Sequence, residues 1–338
     1  MRRWVTPGRV GALALLLLAV LAVAYVTPSD DYLFLPVNAQ PLAPKVHVQG
    51  ARPDHDGGGI YYDEVHIRKA TILEKYLAST RPDGSTFVKA ADYLPPHTSE
   101  KQQFAVDLQD MRRSQKIAAA VALKQAGVKG VQIIPRGVLI SAIYVGTPAA
   151  RALKPGDTVV EADGRPVRTP RQLADIILGH KPGTVVHLKV RRDGNVVPVA
   201  VKTVHDPQDP KRTIIGVGIE PAVTITLPLK ISIDLGRVGG PSAGLAFALD
   251  ILEELGRNVD HGLKVAATGE INLDGSVGPI GGIKQKTIGA RRAGVDVFLV
   301  PAGENATEAK RYAGRMRIIP VESFRQALHA LATVKKTA

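Results

Sequence analysis

The 338-residue chain contains no cysteine, which excludes disulfide bonds, catalytic thiols and cysteine-ligated zinc. Aromatic residues account for only 4% of the chain, so we expect no base-stacking surface and no nucleic acid as partner. A phosphate loop of the form GxxxxGK followed by Ser or Thr occurs nowhere in the 338 residues. We therefore expect no ATP-driven step, and no residue pattern predicts a metal or an organic cofactor.

The charge balance is strongly positive, with 44 basic against 31 acidic residues and a formal net charge of +13. Such a balance is compatible with nucleic acid, an anionic membrane surface or an acidic polymer as a neighbour. The basic residues form only small clusters, such as Arg191-Arg192 and Lys335-Lys336, and this scatter favours an ordinary solvated surface. The length and the hydrophobic content of 45% allow two or three domains with sizeable cores.

The N-terminus predicts a membrane anchor. Residues 10–26 form an uncharged apolar run, which follows Arg2, Arg3 and Arg9 and precedes Asp30. The positive charges place the N-terminus in the cytoplasm, so everything after the run is expected outside the cell membrane. A removable signal peptide, cut after Ala22-Val23-Ala24, is the alternative.

Between the anchor and residue 127 the sequence predicts a stalk followed by an α/β region. Residues 27–58 are rich in proline, glycine and aspartate, which is typical of an extended linker, although "YLFLPV" and "KVHVQG" could form short strands. Asp54-His55-Asp56 invites a metal assignment, but three flanking glycines favour a flexible loop. Further on, residues 104–127 read as one long helix that Gly127 ends.

Residues 128–204 change character to short β-rich runs with turns, including an Asp193-Gly194 hairpin. The segment "GTPAARALKPGDTVVEADGRPV" resembles PDZ domains of the bacterial type. The resemblance implies a small β-rich domain in which an extended peptide adds beside an exposed strand edge. We expect the groove strand at 137–143, with the peptide-binding positions Gly137, Val138, Leu139 and Ile140.

The carboxylate-binding loop of this PDZ-like segment is not obvious. Gly130-Val131 and Arg136-Gly137 are both candidates. Whether the domain prefers free C-termini or internal segments therefore stays open.

From residue 206 onward strands and helices alternate, and "GRVGGPSAGLAFAL" places a single serine, Ser242, at the start of an apolar helix. A long half-buried strand is predicted just before it, over 223–235, from strict alternation of apolar residues. A serine hydroxyl needs a base within hydrogen-bond reach to act as a nucleophile. The N–H groups at a helix start can stabilise an oxyanion, and Gly240 and Gly244 let a substrate backbone approach.

The base has two kinds of candidate. His205, His261 and His329 fall in this region, but none sits in a motif with an adjacent acid, and His261 reads as part of a loop. Lys284 follows "PIGG" at a helix start, where burial and the helix dipole would lower its pKa toward the range that a base requires. Lys286 is the competing lysine.

The segments "GGPSAG", "ATGEI" and "GPIGGIKQK", in this order, resemble the proteolytic domain of the Lon family of Ser-Lys peptidases over residues 215–335. The resemblance implies that Ser242 is the nucleophile, Lys284 the general base and Thr268 the hydroxyl that holds the lysine. Gly240, Pro241 and Gly244 are implied as supporting residues. Lys286 is set aside because the family places the base directly after the Gly-Gly-aliphatic run, and two residues along a helix turn the side chain by roughly 200°.

The whole pattern resembles membrane-anchored bacterial PDZ-containing Lon-like proteases. It predicts a multidomain chain with a transmembrane helix, a small β-rich PDZ domain and an α+β proteolytic domain. Its segments are a cytoplasmic tail (1–8), an anchor (9–27), a stalk and α/β region (28–127), a PDZ domain (128–204) and a Lon-type domain (206–338). The expected activity is ATP-independent serine endopeptidase cleavage of protein or peptide substrates, in a homo-oligomeric ring, a hexamer by analogy.

Two other functions compete with this reading. A non-catalytic PDZ scaffold would bind peptides without cleaving them. A GHMP-like small-molecule kinase would instead use "GGPSAG" as a phosphate loop at a helix N-terminus.

Overall fold

The structure, a computed structural model, describes residues 7–51, 57–95 and 98–334. The sequence motif Asp54-His55-Asp56 lies outside these described residues. The chain forms two compact units, a first unit of Met1–Lys129 with Pro228–Ala338, and a second unit of Gly130–Leu227. The second unit is therefore inserted into the sequence of the first.

The secondary structure follows this division. The first stretch contains α1 (Pro7–Val26), β1 (Pro28–Pro36), β2 (Gln40–Pro41), β3 (Val46–Val48), β4 (Gly59–Tyr62), β5 (Val65–Thr71), α2 (Ile72–Tyr76), a 3-10 turn (Ala78–Thr80), β6 (Thr86–Val88), α3 (Ala90–Tyr93) and α4 (Glu100–Gln125). The inserted unit contains β7 (Gln132–Ile143), α5 (Ala149–Ala152), β8 (Thr158–Ala162), β9 (Arg165–Pro166), α6 (Pro170–Leu178), β10 (Val185–Arg192), β11 (Asn195–Lys202), β12 (Val204–His205), β13 (Thr213–Ile214) and β14 (Val217–Thr226). The last stretch contains β15 (Ile231–Ile233), α7 (Gly244–Glu254), β16 (Lys264–Ala267), β17 (Glu270–Ile271), β18 (Val277–Gly278), α8 (Ile283–Arg292), β19 (Val297–Pro301), α9 (Glu304–Tyr312), β20 (Arg317–Val321) and α10 (Phe324–Thr333).

The main sheet of the first unit has the strand order β2-β4-β16-β19-β20. Its last four strands run parallel, and all five residues of β19 are buried, as expected of a parallel strand covered on both faces. In the parallel register β4 lies beside β16, with Tyr61 opposite Ala266. The carboxyl ends of these two strands therefore bring Asp63 and Thr268 side by side.

The predicted stalk over residues 27–58 is wrong, because its described residues belong to the first unit. Strand β1 pairs with β5 and β6, and β3 pairs with β15 from the far end of the sequence. Leu33 and Leu42 have no exposed surface. Proline and glycine are common here because the segment turns often between short strands, and composition alone cannot distinguish such a segment from a linker.

Helix α4 runs from Glu100 to Gln125. The helix predicted over residues 104–127 begins four residues later and ends two residues later. Ser99 caps its N-terminus, and Gly127 follows its C-terminus with φ of +78°, a left-handed conformation that favours glycine. Helix α4 packs against α7. This contact makes α4 part of the core of the first unit.

The second unit is an antiparallel sheet of order β11-β10-β8-β7-β14, with β9 beside β8. The predicted hairpin lies between β10 and β11, where Asp193 and Gly194 both have positive φ, of 49° and 84°. The unit extends to Leu227 and not only to residue 204, because β14 pairs with β7. The predicted single strand over 223–235 is broken at Pro228 into β14 and β15, which belong to different units.

Helix α1 is long and apolar enough to cross a membrane over Gly8–Val26, where its mean hydropathy is 2.4. None of this stretch is buried within the protein. A membrane anchor and a signal sequence both meet this description.

Candidate active site

Ser242 lies in the loop between β15 and α7, two residues before the helix begins. Two hydrogen bonds join this loop to helix α4. The Gly240 N–H donates to the Asp107 carbonyl at 2.8 Å, and the Ser114 hydroxyl donates to the Pro241 carbonyl at 3.0 Å. A Cβ on Gly239 would lie 2.7 Å from Asp107 Cβ. Glycine is therefore required where the loop crosses α4.

The backbone of Ser242 itself is fixed from the other side. Its carbonyl accepts hydrogen bonds from the Gly269 N–H at 2.8 Å and from the Thr268 hydroxyl at 3.1 Å. A Cβ on Gly244 would approach Ser114 Oγ to 2.8 Å and the Ile271 nitrogen to 3.0 Å. The close packing of α4, α7 and the segment after β16 thus sets the position of the serine hydroxyl.

Lys286, on α8, contacts this hydroxyl directly. Its Nζ lies 2.8 Å from Ser242 Oγ, 3.2 Å from Thr268 Oγ1 and 3.1 Å from the Asp63 carbonyl oxygen. Only 4% of Lys286 is exposed. An ammonium group has three N–H donors, and three acceptors surround this one.

Burial lowers the pKa of Lys286 to about 8, because the apolar surroundings disfavour the charged form. The nearby Asp63 opposes this effect. Asp63 is itself buried, and its two carboxylate oxygens have no hydrogen-bond partner among the described residues. Burial therefore raises the pKa of Asp63, against the opposing charge of Lys286.

The predicted position of Lys284 beside Ser242 is wrong. Its Nζ donates to the Ser85 carbonyl at 2.9 Å and lies 5.6 Å from the centre of the Tyr312 ring. Two residues along α8 point Lys284 and Lys286 to different sides, and the side of α8 that docks on the core carries Lys286. Thr268 does contact a lysine, but the lysine is Lys286.

A signal for Lys286 was present in the sequence. The positions Ile283, Lys286, Thr287 and Ala290 follow the spacing of one helix face, and all four are buried. Lys284 begins a different stripe, which includes the solvent-facing Arg291. The helical period measured from Ile283 thus indicates Lys286, whereas the distance from the Gly-Gly pair does not.

The rival base His261 lies in an exposed loop with a φ of +51°, and its backbone N–H donates to Asn258 Oδ1. Asp63 was not predicted as a site residue at all. It lies 223 positions before Lys286, in a segment interpreted as the start of an α/β region, and no local motif marks it.

The predicted peptide groove at Gly137, Val138, Leu139 and Ile140 is also wrong. These residues lie in β7, which pairs with β14 on one side and with β8 on the other. A strand bonded on both sides has no open edge to which a peptide can add. The terminal strand on the β7 side of this sheet is β14.

Comparison with protein families agrees with both domains. Residues 218–333 match the Lon protease (S16) C-terminal proteolytic domain, and residues 105–203 match the PDZ domain. The PDZ match starts inside α4, which the structure places in the first unit, and stops before β14. The compact unit is therefore the better guide to the limits of this domain.

Individual relatives are similar to the C-terminal part of the chain. Lon protease of Chloroflexus aggregans is 37% identical over 118 residues, which are 33% of this chain and 14% of that protein. Lon protease 1 of Sorangium cellulosum is 50% identical over 68 residues, 20% of this chain and 8% of that protein. The chain thus spans only a small part of the length of the curated relatives that it matches.

Among solved structures, the PDZ domain of the SdrC-like protein Lmo2051 from Listeria monocytogenes is similar at 24% identity. The match covers 25% of this chain and 86% of that one, with a TM-score of 0.23. The chain thus contains a domain that matches the Lon-type proteolytic family model and a domain that matches the PDZ family model, after an apolar N-terminal helix.

Proposed function

We propose that the chain is a serine endopeptidase in which Ser242 is the nucleophile and Lys286 the general base. One observation carries this proposal: a buried lysine Nζ lies 2.8 Å from the hydroxyl of a serine at the start of a helix. Among the described residues, Lys286 is the basic side chain hydrogen-bonded to Ser242 Oγ, and burial lowers the pKa of Lys286 toward the range of a working base.

The geometry suits a neutral amine on Lys286. The two N–H groups of this amine donate to Thr268 Oγ1 and to the Asp63 carbonyl, and its lone pair then accepts the Ser242 proton. Ser242 Oγ attacks the substrate carbonyl, and N–H groups at the start of α7 stabilise the oxyanion. The proton on Lys286 passes to the leaving amine of the substrate. The neutral Lys286 then activates a water molecule, which hydrolyses the acyl group from Ser242.

The second unit is proposed to capture the substrate. Strand β14 ends the sheet and contacts α6, and Val217 and Ile219 pack against the core of this unit. An extended peptide would add along the edge of β14 as a further strand, with side chains between β14 and α6. Capture and cleavage would thus reside in different units.

The cellular setting is proposed from α1. Helix α1 would remain as a single membrane anchor with Arg2, Arg3 and Arg9 on the cytoplasmic side, so that Ser242 would act outside the membrane on exposed segments of other proteins. Cleavage would not depend on ATP.

Casein, an unfolded protein, is the substrate for a direct test. The full chain in detergent micelles is expected to cleave casein without nucleotide, and added ATP should leave the rate unchanged. Absence of cleavage by the intact chain, together with retained peptide binding, would favour the non-catalytic scaffold. A rate that requires ATP would contradict the proposed independence from nucleotide.

The pH dependence of cleavage follows from the lowered pKa of Lys286. Protonated Lys286 cannot accept the Ser242 proton, so the rate is expected to be low on the acidic side and to rise with pH through about 8. The check is kcat/KM for a short fluorogenic peptide between pH 6 and pH 10, a range set by the ordinary titration behaviour of lysine.

The variant Asp63→Asn sharpens this measurement. The carboxylate of Asp63 raises the pKa of Lys286, so its removal should move the midpoint of the profile to lower pH. A midpoint that stays in place would show that Asp63 exerts no charge effect on the base. A rate without any rise near pH 8 in the parent would contradict the role of Lys286.

A further inference from the structure

The N-terminus of the short helix α2 lies next to the C-terminal end of α1. The Ile72 N–H donates to the Thr27 carbonyl at 2.9 Å, and Pro28 is paired with Thr71. Helix α1 has 20 residues and is therefore about 30 Å long, which matches the hydrocarbon thickness of a bilayer. If α1 spans the membrane, α2 lies at the boundary between lipid and water.

Helix α2 is held rigidly in this place. A helix of five residues is too short to be stable alone. The Thr71 hydroxyl caps its start, the Glu74 carboxylate accepts hydrogen bonds from Arg68 at 2.7 and 2.9 Å, and Arg81 donates to the Glu74 carbonyl at 2.7 Å. These contacts fix which side chains α2 presents outward.

The outward side chains are apolar or aromatic. Ile72, Tyr76 and Leu77, here called the α2 patch, are 36%, 80% and 48% exposed. Ile72 and Tyr76 are four residues apart and so lie on one face of the helix. Tyrosine is enriched at membrane interfaces because its ring enters the apolar layer while its hydroxyl stays with water.

The α2 patch continues the exposed surface of α1. Helix α1 contacts α2, and near its end Tyr25 and Val26 are 64% and 72% exposed. Two acidic neighbours are paired, with Lys75 2.7 Å from Asp31 and Arg68 2.7 Å from Glu74, and the exposed Asp30 lies within the electrostatic reach of Lys75. No unbalanced negative charge at these pairs would repel lipid phosphates.

We infer that the α2 patch inserts into the lipid headgroup layer next to α1, so that the first unit is attached to the membrane at two points. The inference rests on the membrane anchoring of α1 in the proposed function. The occupant is the lipid surface itself, because the patch is continuous with the surface that α1 presents to lipid. Attachment at two points prevents the unit from swinging about Thr27.

Tryptophan fluorescence in lipid vesicles tests this insertion. The single tryptophan, Trp4, is first replaced by phenylalanine, and Tyr76→Trp is then introduced into the full chain. Vesicles of phosphatidylcholine brominated near the headgroup end of the acyl chain quench a tryptophan at the interface. The fluorescence of Tyr76→Trp is expected to be quenched at least about two-fold. Its emission maximum is expected at a shorter wavelength than that of the same chain unfolded in denaturant without lipid or detergent.

Two matched variants interpret the outcome. Leu15→Trp, in the middle of α1, reports whether the anchor is inserted in parallel vesicles brominated near the terminal end of the acyl chain, and His329→Trp, at an exposed position of α10, reports a tryptophan in water. Quenching of Leu15→Trp without quenching of Tyr76→Trp overturns the inference alone. Absence of quenching in both overturns the anchor and the inference together. Casein cleavage by the same samples tests the peptidase proposal independently.

Discussion

Replacing Lys286 by alanine is expected to reduce casein cleavage by about 10⁴-fold or more, as much as Ser242→Ala, because the two side chains act as one unit. The reason is geometric: Lys286 Nζ is the basic group in hydrogen-bond contact with Ser242 Oγ. Lys284→Ala is the matched control, with the same substitution two residues away on the same helix. Its rate is expected to stay within about three-fold of the parent rate, since Lys284 contacts Ser85 and Tyr312 instead.

The comparison of rates is kcat/KM for casein or a fluorogenic peptide at pH 8.5, where a base with lowered pKa is mostly neutral. Cleavage that survives in Lys286→Ala and disappears in Lys284→Ala would restore the assignment made from sequence resemblance. Loss in both would show that Lys284 supports the site through the Ser85 segment, and Lys284→Gln, which keeps a donor for the Ser85 carbonyl, would then have to recover activity.

A further variant, Lys286→Met, keeps the volume of the side chain and removes its charge. Because burial lowers the pKa of Lys286, holding its protonated amine in the folded state costs free energy, in full below pH 8 and progressively less as the pH rises toward 10.5. The inactive Lys286→Met chain is therefore expected to unfold at a higher temperature than the parent at neutral pH. A lower unfolding temperature would mean that loss of activity reflects damage to the fold.

Leu42→Ala is expected to destabilise the first unit by about 2–5 kcal/mol, because Leu42 has no exposed surface and its removal leaves a cavity. The same substitution in a stalk would have no effect. The expected fall in the unfolding temperature is on the order of 5–15 °C for a unit of this size. Casein cleavage should be lost at a correspondingly lower temperature, since the segment around Leu42 pairs with other strands of the first unit, which also contains Ser242.

Leu77→Ala provides the matched control, a leucine in the same unit with 48% of its surface exposed. In detergent micelles it should change the free energy of unfolding by no more than about 0.5 kcal/mol. Equal, small effects of Leu42→Ala and Leu77→Ala would contradict the packing of residues 28–51 into the first unit. Thermal unfolding of the full chain, followed by circular dichroism and by cleavage, supplies both readings.

Several features follow from the sequence because their causes are local. Ser242 could be placed at the start of a helix, since two glycines, a proline and an apolar run specify such a start over a few residues, and α7 begins at Gly244. The Asp193-Gly194 hairpin and the Gly127 helix end depend likewise on backbone conformations that few residues adopt. The apolar N-terminal helix was equally evident, because length and hydropathy alone identify it.

The partner of Ser242 was a different matter. Ser242 and Lys286 are 44 positions apart, and Asp63 is 223 positions from Lys286. The motif marked the right helix, but its spacing from the Gly-Gly pair pointed to Lys284. Which side of α8 faces the core depends on how the helix packs against the rest of the first unit. The number of residues between the Gly-Gly pair and the lysine carries no information about that packing.

The same limit applies to the strands. Alternating residues predicted one strand over 223–235, and the composition of residues 27–58 predicted a stalk, yet β14, β15 and β3 find their partners far away along the chain. The sequence alone determined where the serine, its helix and the turns lie, because those depend on neighbouring residues. Only the tertiary structure decided that Lys286 meets both Ser242 and Asp63 and that β7 has no open edge, because strand pairing and helix docking join residues that no local pattern connects.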